Sequence, residues 1–410
     1  MRRVVITGMG INSPIGNTLE DVRDALSSGR SGVSAMPEWQ GVKGLKTHVA
    51  GRVSGLDPKA IARTFRRTMG RMSILAAFAA RDAVAHARIP QDTLSGGRTG
   101  VAFGSTTGSP EVLERFFGDF LVNGGIEGQE GTMFMKVMSH TVAANVAAML
   151  DTRGRLIAPC SACASSTQAI GAGFEAIRDG YQDVMICGGA EELHPTTAGV
   201  FDILLAASRR YNGTPQRTPR PFDRDRDGLV AGEGAAALVL EDYDHARARG
   251  ATAYAEVLGY ATTCDGANMA LANVEGMASC MRQALTVAGV DPHDIDYVSA
   301  HATGTIAGDI AEAEATRSVV GATVPVSSTK GHTGHTLAAC GAMEAVFCAL
   351  MMQLGFIAPT LNLDNIDEKC EGLNHVRRVT PADVRVVLSN NFAFGGVNAS
   401  LVLARGGRHG

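Results

Sequence analysis

With 410 residues, 45% of them hydrophobic, the chain can bury a large core, and length alone suggests two or three structural units. A formal net charge of −4 and the lack of a basic stripe argue against a nucleic-acid binder. The 49 glycines are interleaved with apolar periodic segments from end to end, which indicates helices packed closely on sheets and not disorder.

The first expected strand, 3–7, begins almost at once. No long apolar stretch with a cleavage site follows Arg2 and Arg3, so no secretory leader is expected and the protein is read as cytoplasmic. Gly8, Gly10 and Gly16 then resemble a dinucleotide loop. Such a loop needs a third glycine at position 13, where Ser13 stands, followed by Pro14, so a tight strand-to-loop turn is expected instead. Further strands are expected at 100–103, 184–188 and 235–241, with helices at 71–87 and 165–178. The charged stretch 242–249 reads as a helical crossover. Beyond it come strands at 255–260, 297–300, 325–328, 384–389 and 399–404, and helices at 275–288 and 336–354. Strands separated by helices indicate an α/β protein with sheets covered on both faces. The helix 336–354 is the most apolar stretch, but Glu344, Gln353 and many small residues suit a buried core helix better than membrane insertion. Residues 232–241 and 395–404 are both glycine-led apolar strands. Their likeness suggests a duplicated unit with its seam near 250, giving halves 1–250 and 251–410.

Eight cysteines lie at 160, 163, 187, 264, 280, 340, 348 and 370, mostly in apolar contexts that suit free thiols in a reducing cytosol. Cys160-Ser-Ala-Cys163 admits three readings: a redox pair, half a zinc site, or one nucleophile. A zinc site needs two more ligands at suitable spacing, and no second C-x-x-C or H-x-x-x-H follows. The helical stretch from 165 puts Cys163 at a helix N-terminus, where the dipole is expected to lower its thiol pKa. Two further turns carry reactive groups at strand ends: His301-Ala-Thr-Gly-Thr-Ile-Ala-Gly-Asp-Ile-Ala-Glu312 and Ser328-Thr-Lys-Gly-His-Thr-Gly-His335. A nucleophile followed by two histidines and a lysine so placed favours catalysis. A soft sulfur nucleophile suits thioester exchange. Two imidazole N–H groups can hold the oxygen of an enolate left when a malonyl group loses its carboxylate. A buried lysine and nearby carboxylates can fix the protonation states of those rings.

With these motifs in hand, the chain resembles the β-ketoacyl-acyl-carrier-protein synthases of the condensing-enzyme (thiolase-like) superfamily. The resemblance runs through the opening Val-Val-Ile-Thr-Gly-Met-Gly, Ser161-Ala-Cys-Ala164, both histidine motifs and Asn391-Phe-Ala-Phe-Gly-Gly396. Thr263-Cys-Asp-Gly-Ala-Asn-Met269 is similar to the elongating type I branch. The resemblance implies a five-layered αβαβα fold and a homodimer. It implies that Cys163 accepts the acyl group, that His301 and His335 hold the malonyl thioester and its enolate, and that Lys330 tunes them with Glu344. Asp309 and Glu312 match its acidic positions. The backbone N–H groups of Cys163 and Phe394 would form an oxyanion hole, with Phe394 also a gate. Thr303 and Thr305 would bind the phosphopantetheine arm, and Phe201 and Phe392 would line the substrate path. No metal or nucleotide cofactor is implied, since phosphopantetheine arrives as part of the acyl carrier protein. Carrier proteins are acidic, so Arg63, Arg66 and Arg67 are expected to dock the partner.

The sequence also departs from that pattern. Cys160 stands where a hydroxyl residue is usual, and would either pack passively or form a reversible disulfide with Cys163. Thr107 and Met138 are expected to reshape the acyl pocket and alter chain-length preference. His332 replaces a common methionine, and the acidic stretch 124–131 lies where some relatives offer basic carrier contacts. The first reading is therefore fatty acid synthesis. The alternative is a ketosynthase of a specialised aryl-polyene or polyketide pathway, with a chain-length partner in a heterodimer. A thiolase would need a second cysteine near the C-terminus, and none follows Cys370. A non-catalytic chain-length subunit would lack the nucleophile.

Overall fold

The computed structural model describes residues 1–269 and 271–406. In the first half, strands β1 (Val4–Asn12), β2 (Thr99–Gly104), β3 (Leu156–Ile157), β4 (Val184–Glu191) and β5 (Gly234–Asp242) lie in the order β1-β5-β4-β2-β3. β5 runs antiparallel to β1 and β4, whereas β2 runs parallel to β4 and β3. In the second half, β6 (Ala255–Cys264), β7 (Tyr297–Ser299), β8 (Pro325–Ser327), β9 (Asn374–His375), β10 (Val386–Ala393) and β11 (Val397–Arg405) lie in the order β6-β11-β10-β7-β8-β9. The directions repeat: β11 is antiparallel to β6 and β10, and β7 is parallel to β10 and β8. The unit is thus duplicated, with β9 an addition at one edge. The two half-sheets meet where Val4–Ile6 of β1 pairs with Ala255–Val257 of β6. The two glycine-led strands singled out above, β5 and β11, occupy equivalent places.

Helices complete five layers. Helix α1 (Arg71–Ala87) covers the outer face of the first half-sheet, and α2 (Pro110–Asn123) and α3 (Thr132–Val137) precede α4 (Thr141–Leu150), which joins it there. Helix α5 (Ser165–Arg178) touches strands of both halves. Helices α6 (Val274–Ala288) and α7 (Ile306–Val320) cover the second half, and α8 (Cys340–Leu354) lies with α5 between the two half-sheets. The strands obey this sandwich residue by residue. In β5, Ala236, Leu238 and Leu240 join the central core, while Ala235, Ala237 and Val239 join the core under α1 and α4. In β1, a register shift between Ile6 and Gly8 keeps Val4, Ile6, Met9 and Ile11 on the central side despite their uneven spacing.

Gly8 and Gly10 lie inside β1, paired with Val239 and Ala237, and not in the expected strand-to-loop turn. A Cβ on Gly8 would lie 2.3 Å from the Ala83 carbonyl oxygen, and one on Gly10 would lie 2.1 Å from that of Ala79. Helix α1 therefore rests directly on β1, and the glycines serve close packing, not phosphate binding. The segment Leu337–Leu354 has the length and apolarity of a membrane span, yet 83% of it is buried inside the protein between the half-sheets. The expected single helix 336–354 is instead a 3-10 turn, Leu337–Ala339, followed by α8, because Leu337 adopts φ of +47°. β1, β10 and β11 extend beyond the expected spans, since the β1–β5 and β10–β11 ladders run on past the apolar runs.

Candidate active site

Cys163 lies in a 3-10 turn, Ala162–Ala164, that leads into α5. Ala162 is held at φ of +45°, an uncommon conformation for a residue with a Cβ, and such strain gathers at functional turns. Ser165 locks the turn: its hydroxyl donates to the Ala162 carbonyl at 2.7 Å and accepts from the Ser161 N–H at 2.9 Å. His301 follows β7 by two residues. Its backbone N–H donates to Glu312 Oε1 at 2.7 Å, while Asp309 Oδ1 accepts the N–H groups of Thr303 and Gly304 at 3.1 Å each. Both carboxylates stand on α7, so one helix clamps the histidine loop. His335 hangs on its own backbone N–H, which donates to the Val230 carbonyl at 2.7 Å. These three loops meet. Cys163 Sγ lies 2.9 Å from His335 Nε2, and the rings of His301 and His335 stand edge to face with centroids 5.1 Å apart. The sulfur and one nitrogen from each ring all lie within 4.8 Å of one another.

Behind them sits a buried ion pair, Lys330 Nζ with Glu344 Oε1, both 2% exposed or less. Burial would lower the lysine pKa, but the Glu344 carboxylate reverses this and holds it above its ordinary value. Burial, reinforced by the Lys330 charge, lowers the pKa of both His301 and His335 well below 6.5, so both rings are neutral. Among the described residues, His335 Nδ1 is enclosed with no hydrogen-bond partner. An unpaired lone pair there costs less than an unpaired N–H, which assigns the proton to Nε2, facing the sulfur. The expected low thiol pKa is corrected. Burial pushes Cys163 up to about 12, with Lys330 as the opposing influence, because the enclosed site penalises a thiolate more than the short turn and helix end favour one.

The remaining candidates are distributed around this centre. Phe392 is buried with its ring 6.3 Å from that of His301. Phe201 packs in the same small apolar cluster as Cys163 and stacks on Phe394 with centroids 6.0 Å apart. Phe394 is itself 45% exposed. Thr303 is buried, and its hydroxyl lies 3.2 Å from that of Thr305. Thr107 is exposed on the loop after β2 and Met138 is half-buried after α3, where Gly108 packs against the Val137 carbonyl. Arg63, Arg66 and Arg67 share one short helical turn, and no carboxylate pairs with them among the described residues. Cys160 is exposed while Cys163 is buried, and all eight cysteines are free. His332 is enclosed between the carbonyls of Arg30 and Pro359, and burial lowers its pKa to about 4, so it is a packing residue. A separate cavity of about 610 Å³ is lined by Trp39, Arg71, His194 and Glu233 among others and holds none of the three reactive groups. Sequence reasoning gave no role to Thr167, Cys340 or Glu191, and named Asn391 only as part of a motif. All four are buried around this centre, and no spacing rule marks them.

Comparison with known proteins agrees with the geometry. The family model "Beta-ketoacyl synthase, N-terminal domain" matches residues 1–246, and "Beta-ketoacyl synthase, C-terminal domain" matches residues 254–364. The chain is 40% identical over 413 residues, 99% of each protein, to 3-oxoacyl-[acyl-carrier-protein] synthase 1 of Haemophilus influenzae. A crystal structure of a β-ketoacyl synthase from Burkholderia phymatum STM815 superposes with a TM-score of 0.96 at 45% identity, covering 99% of this chain and 100% of that one. The ishigamide ketosynthase/chain length factor superposes with a TM-score of 0.93 at 34% identity, covering 99% and 100%.

Proposed function

This chain belongs to the β-ketoacyl synthase family, and from that premise we propose that it is a 3-oxoacyl-[acyl-carrier-protein] synthase. The single observation that carries the reading is the meeting of Cys163, His301 and His335 from three separate loops.

In the first half-reaction, Cys163 attacks the acyl thioester of an acyl carrier protein. The C–S bond to the carrier breaks, a new one forms to Cys163, and the thiol proton leaves with the carrier thiol. The backbone N–H groups of Cys163 and Phe394 hold the tetrahedral oxyanion. In the second half-reaction, malonyl carrier protein enters, its arm held by Thr303 and Thr305. The ring N–H groups of His301 and His335 bond the thioester oxygen. As the C–C bond to the carboxylate breaks, its electron pair forms an enolate on that oxygen. The carboxylate departs as CO2, and the enolate carbon attacks the Cys163 thioester and expels the sulfur, which takes one proton from solvent to restore the thiol, giving the 3-oxo product. Neutral rings suit this role, because each can donate one N–H without exchanging a proton with the substrate. Lys330 and Glu344 set the local field, and Asp309 and Glu312 hold the His301 loop.

The halves 1–250 and 251–410 serve as the two structural units, the first bringing the sulfur and the second the histidines and lysine. The exposed Arg63 and Arg67, with the half-buried Arg66 between them, form the face for an acidic carrier protein. The apolar surface on and after α2, with Phe117, Leu121, Val122 and Ile126 all more than half exposed, fits a second subunit. A second copy of this chain is the first choice. A chain-length partner is the alternative, favoured by likeness to the ishigamide ketosynthase/chain length factor, and would accompany a specialised pathway in place of fatty acid synthesis. Eight free thiols fit the reducing cytoplasm. The test is a primer series with malonyl carrier protein, read by product mass. A two-carbon 3-oxo extension that Cys163→Ala abolishes is expected, with rates that depend on primer length through Thr107 and Met138. An unextended product, or extension surviving Cys163→Ala, rules the proposal out.

A further inference from the structure

We infer that Asn391 is a positioning residue that dictates which ring nitrogen of His301 carries the proton, and so whether the second half-reaction can run. The inference rests on the condensing role proposed for His301. Asn391 lies on β10 and is fully buried. Its amide nitrogen donates to Glu344 Oε2 at 2.7 Å and lies 3.3 Å from both His301 Nδ1 and Cys340 Sγ. Its amide oxygen accepts from the Thr167 hydroxyl.

This amide has one permissible orientation. The Thr167 hydroxyl could either donate or accept, but the Glu344 carboxylate, charged beside Lys330, can only accept. The NH₂ end must therefore face Glu344, and it is the same end that faces His301 Nδ1. A nitrogen that meets a donor must offer its lone pair, so the proton of the neutral ring sits on Nε2. Lys330, Glu344, Asn391 and His301 thus form a relay of fixed polarity, from a buried cation to the N–H that would hold the enolate oxygen.

The surroundings are shaped for this amide. A Cβ on Gly341, at the start of α8, would lie 2.0 Å from Thr167 Oγ1 and 2.6 Å from Asn391 Oδ1, so the glycine leaves room for their hydrogen bond. The Cys340 thiol contacts the amide nitrogen and lies 3.3 Å from the Cys163 carbonyl oxygen, tying the relay to the nucleophile's own turn. Three elements from the two halves converge on one side chain that touches no reacting atom.

The test uses the full-length protein labelled with ¹⁵N-histidine. In the unmodified enzyme, His301 is expected to show a protonated Nε2 and an unprotonated Nδ1. A proton on Nδ1 overturns the inference without any variant. In Asn391→Asp, the new carboxyl shares one proton with Glu344 and turns an acceptor lone pair toward Nδ1, which draws the ring proton onto that nitrogen. Condensation should then fall on the order of 10²–10³-fold, the loss typical of removing one oxyanion donor. Acyl transfer to Cys163 should persist, which shows that the fold and nucleophile are intact. Asn391→Asp that condenses at the parental rate, or that loses both half-reactions equally while folded, also overturns it. Absence of both half-reactions in the unmodified enzyme would instead defeat the proposed function.

Discussion

The Lys330–Glu344 pair permits a sharp separation of stability from catalysis. Both side chains are enclosed, and Glu344 uses one oxygen for Lys330 and the other for Asn391 Nδ2 at 2.7 Å. Glu344→Leu strands a buried ammonium, and Lys330→Met strands a buried carboxylate. Each single change should cost about 3–5 kcal/mol. Simple addition would put the double variant on the order of 6–10 kcal/mol below the parent. The structure predicts otherwise, because the double variant buries no charge. Its remaining loss is the Asn391 N–H deprived of an acceptor, about 1–3 kcal/mol. Guanidinium unfolding can be followed by fluorescence of Trp39, the one tryptophan, which is buried at 2% exposure. The double variant should unfold well above the additive expectation and no earlier than either single. Condensation should be lost in all three, since Lys330 is the charge that opposes the high thiol pKa of Cys163. A double variant as unstable as the sum of its parts, or one that regains activity with its stability, would refute the reasoning.

Three further outcomes are expected. Burial raises the carboxyl of Glu312 from an ordinary 4.5 to about 8, and that of Asp309 from 3.8 to about 6. Groups raised in this way contribute stability that is fully present below their ordinary values and is lost as pH rises through the folded ones. Unfolding midpoints should therefore decline between about pH 4 and 8. Glu312→Gln should flatten the upper part of that decline, and an unchanged profile would exclude Glu312 as its source. Gly10→Ala should destabilise by about 1–3 kcal/mol or more by forcing α1 off β1, visible as an earlier unfolding midpoint, whereas an unchanged midpoint would show that the helix can shift freely. Arg66→Glu should raise the apparent KM for acyl carrier protein at low salt and leave kcat intact. An unchanged KM would remove this face from the docking surface.

Much of this was readable from the sequence, for identifiable reasons. Strands and helices alternate with periods that survive single-sequence inspection, and β5 and β11 betray the duplication because each carries a Leu-Val-Leu run a few residues after a glycine, between two covered faces. The reactive loops were visible because Cys163, His301, Lys330 and His335 are rare polar groups at strand ends. What stayed hidden depends on tertiary distance. The thiol pKa of Cys163 departs from the sequence-based expectation because a helix end is legible in sequence and burial is not. The role of Gly8 and Gly10 depends on a helix more than sixty residues away. Asn391 became informative only once Thr167 and Glu344, more than 170 residues apart in the chain, were found on either side of it.

Helices α5 and α8 lie between the two half-sheets, and each gives contacts to strands on both sides. Neither half can therefore complete its inner surface from its own chain, and severing the protein near residue 250 would leave two fragments with raw apolar faces. The ancestral repeat has given up its autonomy. Its reward is a reaction centre on the shared boundary, assembled only when the whole polypeptide is folded.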